Sequence, residues 1–580
     1  MAKDLECDVL VAGSGASGFA AALTAAVDGL DVIMVEKAEV FGGTTCFSAG
    51  VIWIPGSRQA TEIGITDNRD DVLAYLEAEG GNRLDRDKAE AFADNAASIL
   101  EWFEANSHVS YMLSPAWSDY HPGQPGASKG GRSLGPRPFD GRSLGEWFDK
   151  LRPPLQTTTI LGGMMVGRED LPQFFTMTKK LSSARHVSKL LLRYAKDRLS
   201  YARGTRLSNG NALIGMLARS AFDRGVKLML KTPVVELTTH AGRVSGAIVN
   251  APEGRMTIHA RKGLVLACGG FPANEELRAR YYNHVIGGKN HRTVAPAENT
   301  GDGLKLASLM NVALVEGQAQ PAAWVPISLV PQSDGTTLPF PHFIDRGKAG
   351  YIAVDKRGRR FVNEAMSYHD FVPAMVEACR NDEDVHCYLI CDSTAIRAYG
   401  LGAAPPFPGR LDPHLASGYI KRASTLSELA AICNIDVKGL NETVERLNRG
   451  AALGEDPEFG KGTDPYQRFN GSIGHGPNPC VAPISRAPFY AMRLVPGDIG
   501  TFIGLRTDAH ARALDTSGQP VGGLYVVGND AASFMGGTYP GAGITLGPAL
   551  VFGHLAAKHI ASSTQQSDTS SSKRGVVGPY

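Results

Sequence analysis

The stretch that most constrains this chain runs from Cys7 to Lys37. A short apolar run, Val9-Leu10-Val11-Ala12, reads as a buried parallel strand. Gly13-Ser14-Gly15-Ala16-Ser17-Gly18 follows at once, then an Ala-rich helical segment from Phe19 to Val27. A second apolar strand, Val32 to Val35, ends in Glu36. Each part has a physical task. Gly13 permits a tight turn, Gly15 lets the backbone approach a pyrophosphate, and Gly18 lets the helix pack close to the strand. The helix start offers free N–H groups and partial positive charge to phosphates. Glu36 stands where a carboxylate accepts from ribose hydroxyls. A bare Gly-x-Gly-x-x-Gly is weak, but the strand–turn–helix–strand context with its acid predicts dinucleotide binding.

A second glycine-rich turn follows within a few residues, Phe41-Gly42-Gly43-Thr44-Thr45-Cys46-Phe47-Ser48-Ala49-Gly50. A nicotinamide enzyme has no need of it. A flavoprotein does, because an extended cofactor runs past it toward the flavin, with Thr44, Thr45 and Ser48 as hydroxyl donors. The reading therefore moves from NAD to FAD. Residues 68 to 106 read as helical, and a Pro/Gly/aromatic loop follows that contains Trp117, Tyr120 and His121. Between Lys179 and Arg206 stand nine Lys or Arg residues against one acid, Asp197, while Val187, Leu190, Leu191, Tyr194 and Tyr201 recur at helical spacing. Such a basic amphipathic helix, over about 180–202, is a candidate for lying on an anionic membrane surface. The blander reading is a solvated helix with its apolar stripe packed inward.

Farther on, Gly263 to Phe271 reads as a buried strand that stops in Gly269-Gly270. Thr300-Gly301-Asp302-Gly303 precedes a helix. Residues 313–489 contain strands and helices but no phosphate-type turn, and read as a second domain inserted into the first. Cofactor-like sequence returns in a strand ending Gly528-Asn529-Asp530. It continues in Tyr539-Pro540-Gly541-Ala542-Gly543, which leads into a helix from Pro548, whose start suits negative charge such as that on a reduced flavin. The predicted organisation is α/β with an α+β insert: a discontinuous Rossmann-like FAD-binding domain (1–312 and 490–562, with a helical insertion at about 152–206) and a substrate domain (313–489). A Ser/Gln/Thr-rich tail, 563–580, is expected to be disordered.

Length allows two or more domains, with 580 residues. A net charge of +1 argues against a field that recruits nucleic acid. The eight cysteines are scattered with no CxxC pair, which reads as free thiols in a reducing compartment and gives no metal site. The first strand begins within about ten residues of Met1, leaving no room for a signal peptide, and no apolar run approaches the ~20 residues of a spanning helix. A cytoplasmic protein is expected, at most peripheral on the inner face of the membrane.

Together these segments resemble the fumarate-reductase-like flavoproteins, and within them the 3-ketosteroid Δ1-dehydrogenases. The general signals are GSGASG with Glu36, GGTT at 42–45, TGDG at 300–303 and YVVGND at 525–530. Narrower ones are FSAGVIWIP (47–55), SDYHP (118–122), GRRFVNEAMSYHDF (358–371), PFYAMRLVPGDIGT (488–501) and MGGTYPGAGITLGPA (535–549). The resemblance implies FAD as cofactor and a 3-ketosteroid as substrate, with an electron acceptor of quinone type to re-oxidise the flavin. It implies that Tyr539 and the Gly543 N–H hold the C3 carbonyl, that Tyr368 takes the C2 proton with a hydrogen bond from Tyr120, and that the C1 hydride goes to flavin N5. A phenol with a pKa of ~10 is a weak base at neutral pH, so these partners are expected to favour the Tyr368 phenolate. Motifs and resemblance together assign cofactor contacts to Gly13, Gly15, Ala16, Ser17, Gly18, Glu36, Lys37, Gly42, Gly43, Thr44, Thr45, Ser48, Ala49, Gly50, Val234, Ala267, Gly269, Gly270, Asp302, Gly528, Asn529, Thr545 and Leu546.

The chain departs from the family pattern in three places. Residues 47–50 read FSAG where a third glycine is common, Gly536-Gly537 stands for Gly-His before Thr538, and Ala542 stands for a proline. A fumarate reductase would need cationic groups for a dicarboxylate, whereas the pocket candidates here are tyrosines. A ketosteroid dehydrogenase acting at C4–C5 shares scaffold and cofactor, and a non-catalytic flavin or lipid carrier is the remaining reading.

Overall fold

The computed structural model describes residues 4–285 and 290–571. Its first sheet is built on Leu5–Ala12, flanked in parallel by Val32–Val35 on one side and Gly254–Leu266 on the other. Lys227–Met229 and Pro520–Val526 extend it, again in parallel. The second half of the first strand, Val9–Ala12, is apolar because both faces are covered there, while Glu6 and Asp8 in its first half pair with Arg261. Val9 and Val11 face a core shared with the helices Ala16–Val27 and Asn209–Asp223, while Leu10 and Ala12 face a second core reaching the antiparallel strands Val234–His240 and Arg243–Ala251. The strand after residue 500 thus closes a sheet that the first residues begin.

A second sheet has Phe489–Thr501 as its spine. The C-terminal half of this strand pairs with Ala322–Pro331 and Arg292–Thr293, and its N-terminal half with Cys387–Asp392 and Ile420–Ala423. This sheet reaches beyond 313–489 on both sides, because the spine strand and Arg292–Thr293 hydrogen-bond within it. Helix Tyr368–Ala378 lies against Ala322–Pro331 and carries Ser367 as N-cap, whose side chain accepts from the Asp370 N–H. The last helix, Leu546–Ser571, packs beside Ala16–Val27, with His554 Nδ1 3.1 Å from Thr24 Oγ1 and Lys558 bonded to Asp28. Part of the tail expected to lack structure therefore lies within this helix, and 572–580 fall outside the described residues.

The stretch 152–206 forms the short helix Leu171–Thr176 and the longer Leu181–Asp197. It is tied down by Arg206 on Asp170 and Glu169, by Asp197 accepting from the Thr205 N–H and hydroxyl, and by the Tyr194 hydroxyl on the Leu161 carbonyl. Val187 and Tyr194 are buried, and the opposite face is open. Among the described residues no helix is long and apolar enough to cross a membrane. All eight cysteines are free.

Candidate active site

One cavity of about 860 Å³ runs from the first glycine turn to a cluster of tyrosines. Gly13 has φ 109°, and a Cβ there or at Gly18 would collide with backbone carbonyls, Ala267 O and Gly13 O respectively. At Gly15 the nearest atom to a notional Cβ is Thr45 Oγ1 at 3.9 Å, so this glycine opens onto the cavity. The helix that starts at Ala16 has no side-chain cap at Gly15, although Thr45 Oγ1 accepts from the Ala16 N–H at 3.2 Å. Glu36 lines the cavity, with one carboxylate oxygen taking the Ser14 N–H at 3.1 Å and the other the Ala38 N–H at 2.9 Å. The first oxygen also takes the Ser14 hydroxyl at 2.5 Å, which leaves acceptor capacity on the second. Lys37 is bonded to Asp302 at 2.6 Å and to Thr300 at 2.8 Å.

The other expected contacts mostly line the same cavity: Ala16, Ser17, Gly43, Thr44, Thr45, Ser48, Ala49, Gly50, Val234, Ala267, Gly269, Asp302, Gly528, Asn529, Thr545 and Leu546. Gly18, Gly42 and Gly270 do not. Gly18 serves helix–strand packing, a Cβ on Gly42 (φ 117°) would meet Cys46 Sγ, and the Gly270 N–H donates to buried Asp530 at 2.9 Å. These three support the cradle from behind. Asp530 also takes the Cys268 N–H at 2.5 Å, and so ties the end of one parallel strand to the end of its neighbour. Asn299 does the same between strand and loop, donating to Thr44 Oγ1 at 2.9 Å and to the Gly269 carbonyl at 3.2 Å. An uncapped helix start, a backbone free of side chains, and an acid one strand away fit an FAD extended along the cavity.

At the far end Tyr120, Tyr368 and Tyr539 meet, all buried and all lining the cavity. The Tyr120 hydroxyl donates to that of Tyr368 at 3.1 Å. Tyr120 stacks on Tyr539 with centroids 5.5 Å apart, and Tyr368 meets Tyr539 edge-on at 5.3 Å. Gly543 also lines the cavity, with φ 98°, and its N–H has no acceptor among the described residues. Its carbonyl is held by the Trp53 N–H at 3.2 Å, the Pro540 carbonyl by the Tyr120 N–H at 2.9 Å and the Tyr75 hydroxyl at 2.5 Å, and the Ala542 carbonyl by Ser133 at 3.1 Å. The turn is therefore fixed at several points with one N–H left for the cavity.

Two networks that sequence reading did not find, one buried and one half-buried, hold these groups. Asp119 accepts from Trp53 Nε1 at 2.8 Å and pairs with Arg132 at 2.7 Å, and Arg132 reaches Asp67 at 2.7 Å. His121, next to Tyr120, bridges Glu79 and Asp370, each at 2.8 Å. Two rungs, Tyr120–Tyr368 and His121–Asp370, thus lock the loop to the start of the helix. Burial works against charge on His121, but its bonds to Asp370 and Glu79 outweigh that and push it up to about 10. The tyrosines go the other way from expectation. Burial holds Tyr120 and Tyr368 well above the ordinary phenol value, and Tyr539 above it. Desolvation of the phenolate is the largest cause at all three, and at Tyr368 the neighbouring Tyr120 and Tyr539 add to it.

The FAD binding domain family model matches residues 8–546. A 4-oxocyclohex-2-ene-1-carboxylate 5-dehydrogenase from Sinomonas cyclohexanicum is 38% identical over 96% of this chain and 94% of its own length. A 3-oxosteroid 1-dehydrogenase from Mycobacterium tuberculosis is 34% identical over 96% of this chain and 98% of its own. The crystal structure of 3-ketosteroid delta1-dehydrogenase from Sterolibacterium denitrificans in complex with 1,4-androstadiene-3,17-dione superposes with a TM-score of 0.89 at 36% identity, covering 96% of this chain and all of that one. With the glycine cradle, the acid and the paired helix starts in place, the chain belongs to the FAD-binding domain family and is an FAD-dependent oxidoreductase.

Proposed function

We propose that this protein desaturates a six-membered ring ketone next to its carbonyl; the motifs read from the sequence imply 3-ketosteroids and their C1–C2 bond within that class. The observation that carries this reading is the meeting of three buried tyrosine hydroxyls with an unsatisfied Gly543 N–H at one end of the cofactor cavity. Tyr539 and Gly543 hold the ketone oxygen and draw charge toward it, which acidifies the neighbouring C–H. Tyr368 takes that proton, and Tyr120 donates a hydrogen bond to the phenolate that receives it. FAD, when bound, supplies the two-electron acceptor for the hydride leaving the next carbon. Apolar side chains including Phe343, Ile344 and Phe469 line this end and keep water from the enolate. Relatives that act on a 3-oxosteroid and on a 4-oxocyclohexene carboxylate share this demand, a ring ketone activated at its α-carbon.

The test is anaerobic mixing of the flavin-loaded protein with androst-4-ene-3,17-dione while the oxidised flavin absorbance is followed. Bleaching with formation of a C1–C2 double bond supports the reading. With a 5α-3-ketosteroid, a C4–C5 product would assign the alternative regiochemistry. We further propose that the open face of helix Leu181–Asp197 rests on an anionic membrane, since exposed Leu181 and Leu192 on the helix, and Leu199 in the turn just after it, alternate with exposed Arg185, Lys189 and Lys196.

A further inference from the structure

Arg168 brings a cationic side chain to the tyrosine end of the cavity. It lines the cavity with Trp117, Tyr120 and Phe469. Its guanidinium carbon lies 3.6 Å from the Trp117 ring centroid and 4.9 Å from that of Phe469, and the two rings are themselves 6.1 Å apart, so it rests over Trp117 with Phe469 to one side. Among the described residues no carboxylate, carbonyl or hydroxyl accepts from it. Other arginines of the same stretch are engaged: Arg152 with Glu298, Arg203 with Asn211 and the Leu151 carbonyl, Arg206 with Asp170. Neighbouring Glu169 also lines the cavity, but it is taken by Arg206 at 3.0 Å.

A desolvated guanidinium without an acceptor is costly, and a ligand that brings an anion relieves that cost. Burial lowers Arg168 to about 10, opposed only by the charges that Tyr120 and Tyr466 would carry if ionised. The pyrophosphate of the cofactor is not that anion, because its cradle at Gly15 and Ala16 lies at the opposite end of the cavity. A guanidinium offers paired, coplanar N–H groups, which match a carboxylate in a bidentate fork. The place is also informative. Tyr466 and Tyr120 rings are 4.7 Å apart, Tyr120 stacks on Tyr539 at 5.5 Å, and Arg168 borders Tyr120 and Tyr466. An anion held there stands at the same aromatic cluster as a ketone held at Tyr539 and Gly543.

The geometry points to Arg168 as the anchor for a carboxylate carried by the ring ketone itself, so that the preferred substrate is a compact cyclic oxo-acid. This inference rests on the ring-ketone reading above and adds the charge requirement to it. Carboxylate and ketone together fix the ring at two opposite ends, which places one α-carbon at Tyr368.

The experiment compares 4-oxocyclohexane-1-carboxylate, its methyl ester and androst-4-ene-3,17-dione as reductants of the flavin, in the wild-type holoenzyme and in Arg168→Met and Arg168→Lys. The acid is expected to exceed its ester in kcat/KM by roughly 10- to 100-fold, the worth of a charge-assisted pair. Arg168→Met is expected to erase that ratio and Arg168→Lys to restore part of it. Binding of the unreactive cyclohexanecarboxylate, read as a flavin difference spectrum, is expected to weaken by a similar factor in Arg168→Met. An ester or steroid that bleaches the flavin as well as the acid does, or an acid-to-ester ratio untouched by Arg168→Met, overturns the inference and leaves the ring-ketone reading standing. Failure of all three ketones in flavin-loaded protein overturns both.

Discussion

Tyr368, the proton acceptor we propose, lies in a place that resists its ionisation, because burial holds it well above the ordinary phenol value. Turnover is therefore expected to rise with pH as the phenolate becomes accessible. Tyr368→Phe and Tyr539→Phe are each expected to retain flavin while lowering kcat by about 10²-fold or more, measured by stopped-flow reduction of the bound flavin. Normal reduction in Tyr368→Phe would remove it as the base. His121 sets the opposite limit. Its folded-state value near 10 lies above the ordinary 6.5, so its support is complete at pH below about 6.5 and is lost as pH rises through about 10. Melting temperatures at pH 7 and pH 10.5 are expected to fall further in the wild type than in His121→Gln, and equal drops would show that the bridge to Asp370 and Glu79 contributes nothing.

At the scale of the element, the strand–turn–helix at Leu5–Val27 depends on backbone approach. A Cβ on Gly18 would meet the Gly13 carbonyl, which cannot rotate away. Gly18→Ala is expected to cost about 1–3 kcal/mol or more and to lower the flavin-to-protein ratio of the purified protein, read from its visible absorbance. Helix Leu181–Asp197 poses a different question, since its outer face carries Leu181 and Leu192, with Leu199 in the turn just after it, among arginine and lysine. Flotation with anionic vesicles is expected for the wild type, to weaken with added salt, and to vanish in Leu192→Glu/Leu199→Glu. Recovery of the wild type in the pellet would assign that face to solvent.

For the molecule as a whole, the cofactor cavity lies between the two sheets' loops and is lined by residues from Ala12 to Ala549. FAD touching so much of the chain must stabilise it. At a free concentration ~100 times its dissociation constant the gain is about 2.7 kcal/mol. Reconstitution of the apoprotein is expected to raise the melting temperature in a concentration-dependent way, and a temperature indifferent to FAD would contradict the placement of the cofactor in this cavity.

What the sequence determined by itself was local. The turn at Gly13–Gly18, the acid at Glu36, the glycines at 42–43 and the returning Gly528-Asn529 are set by backbone sterics over a few residues, and so can be read from spacing. The tyrosines were assigned by motif, yet nothing in the string places Tyr120 against Tyr368, which is 248 residues away. His121 beside Asp370, Trp53 on Asp119 and the isolation of Arg168 left no local signal, since each depends on which partner the fold brings near and which it keeps away. The titration of the phenols has the same origin. A hydrogen-bond partner can be guessed from a motif, but the loss of water that raises Tyr120, Tyr368 and Tyr539 exists only once two sheets and their loops have closed over the site.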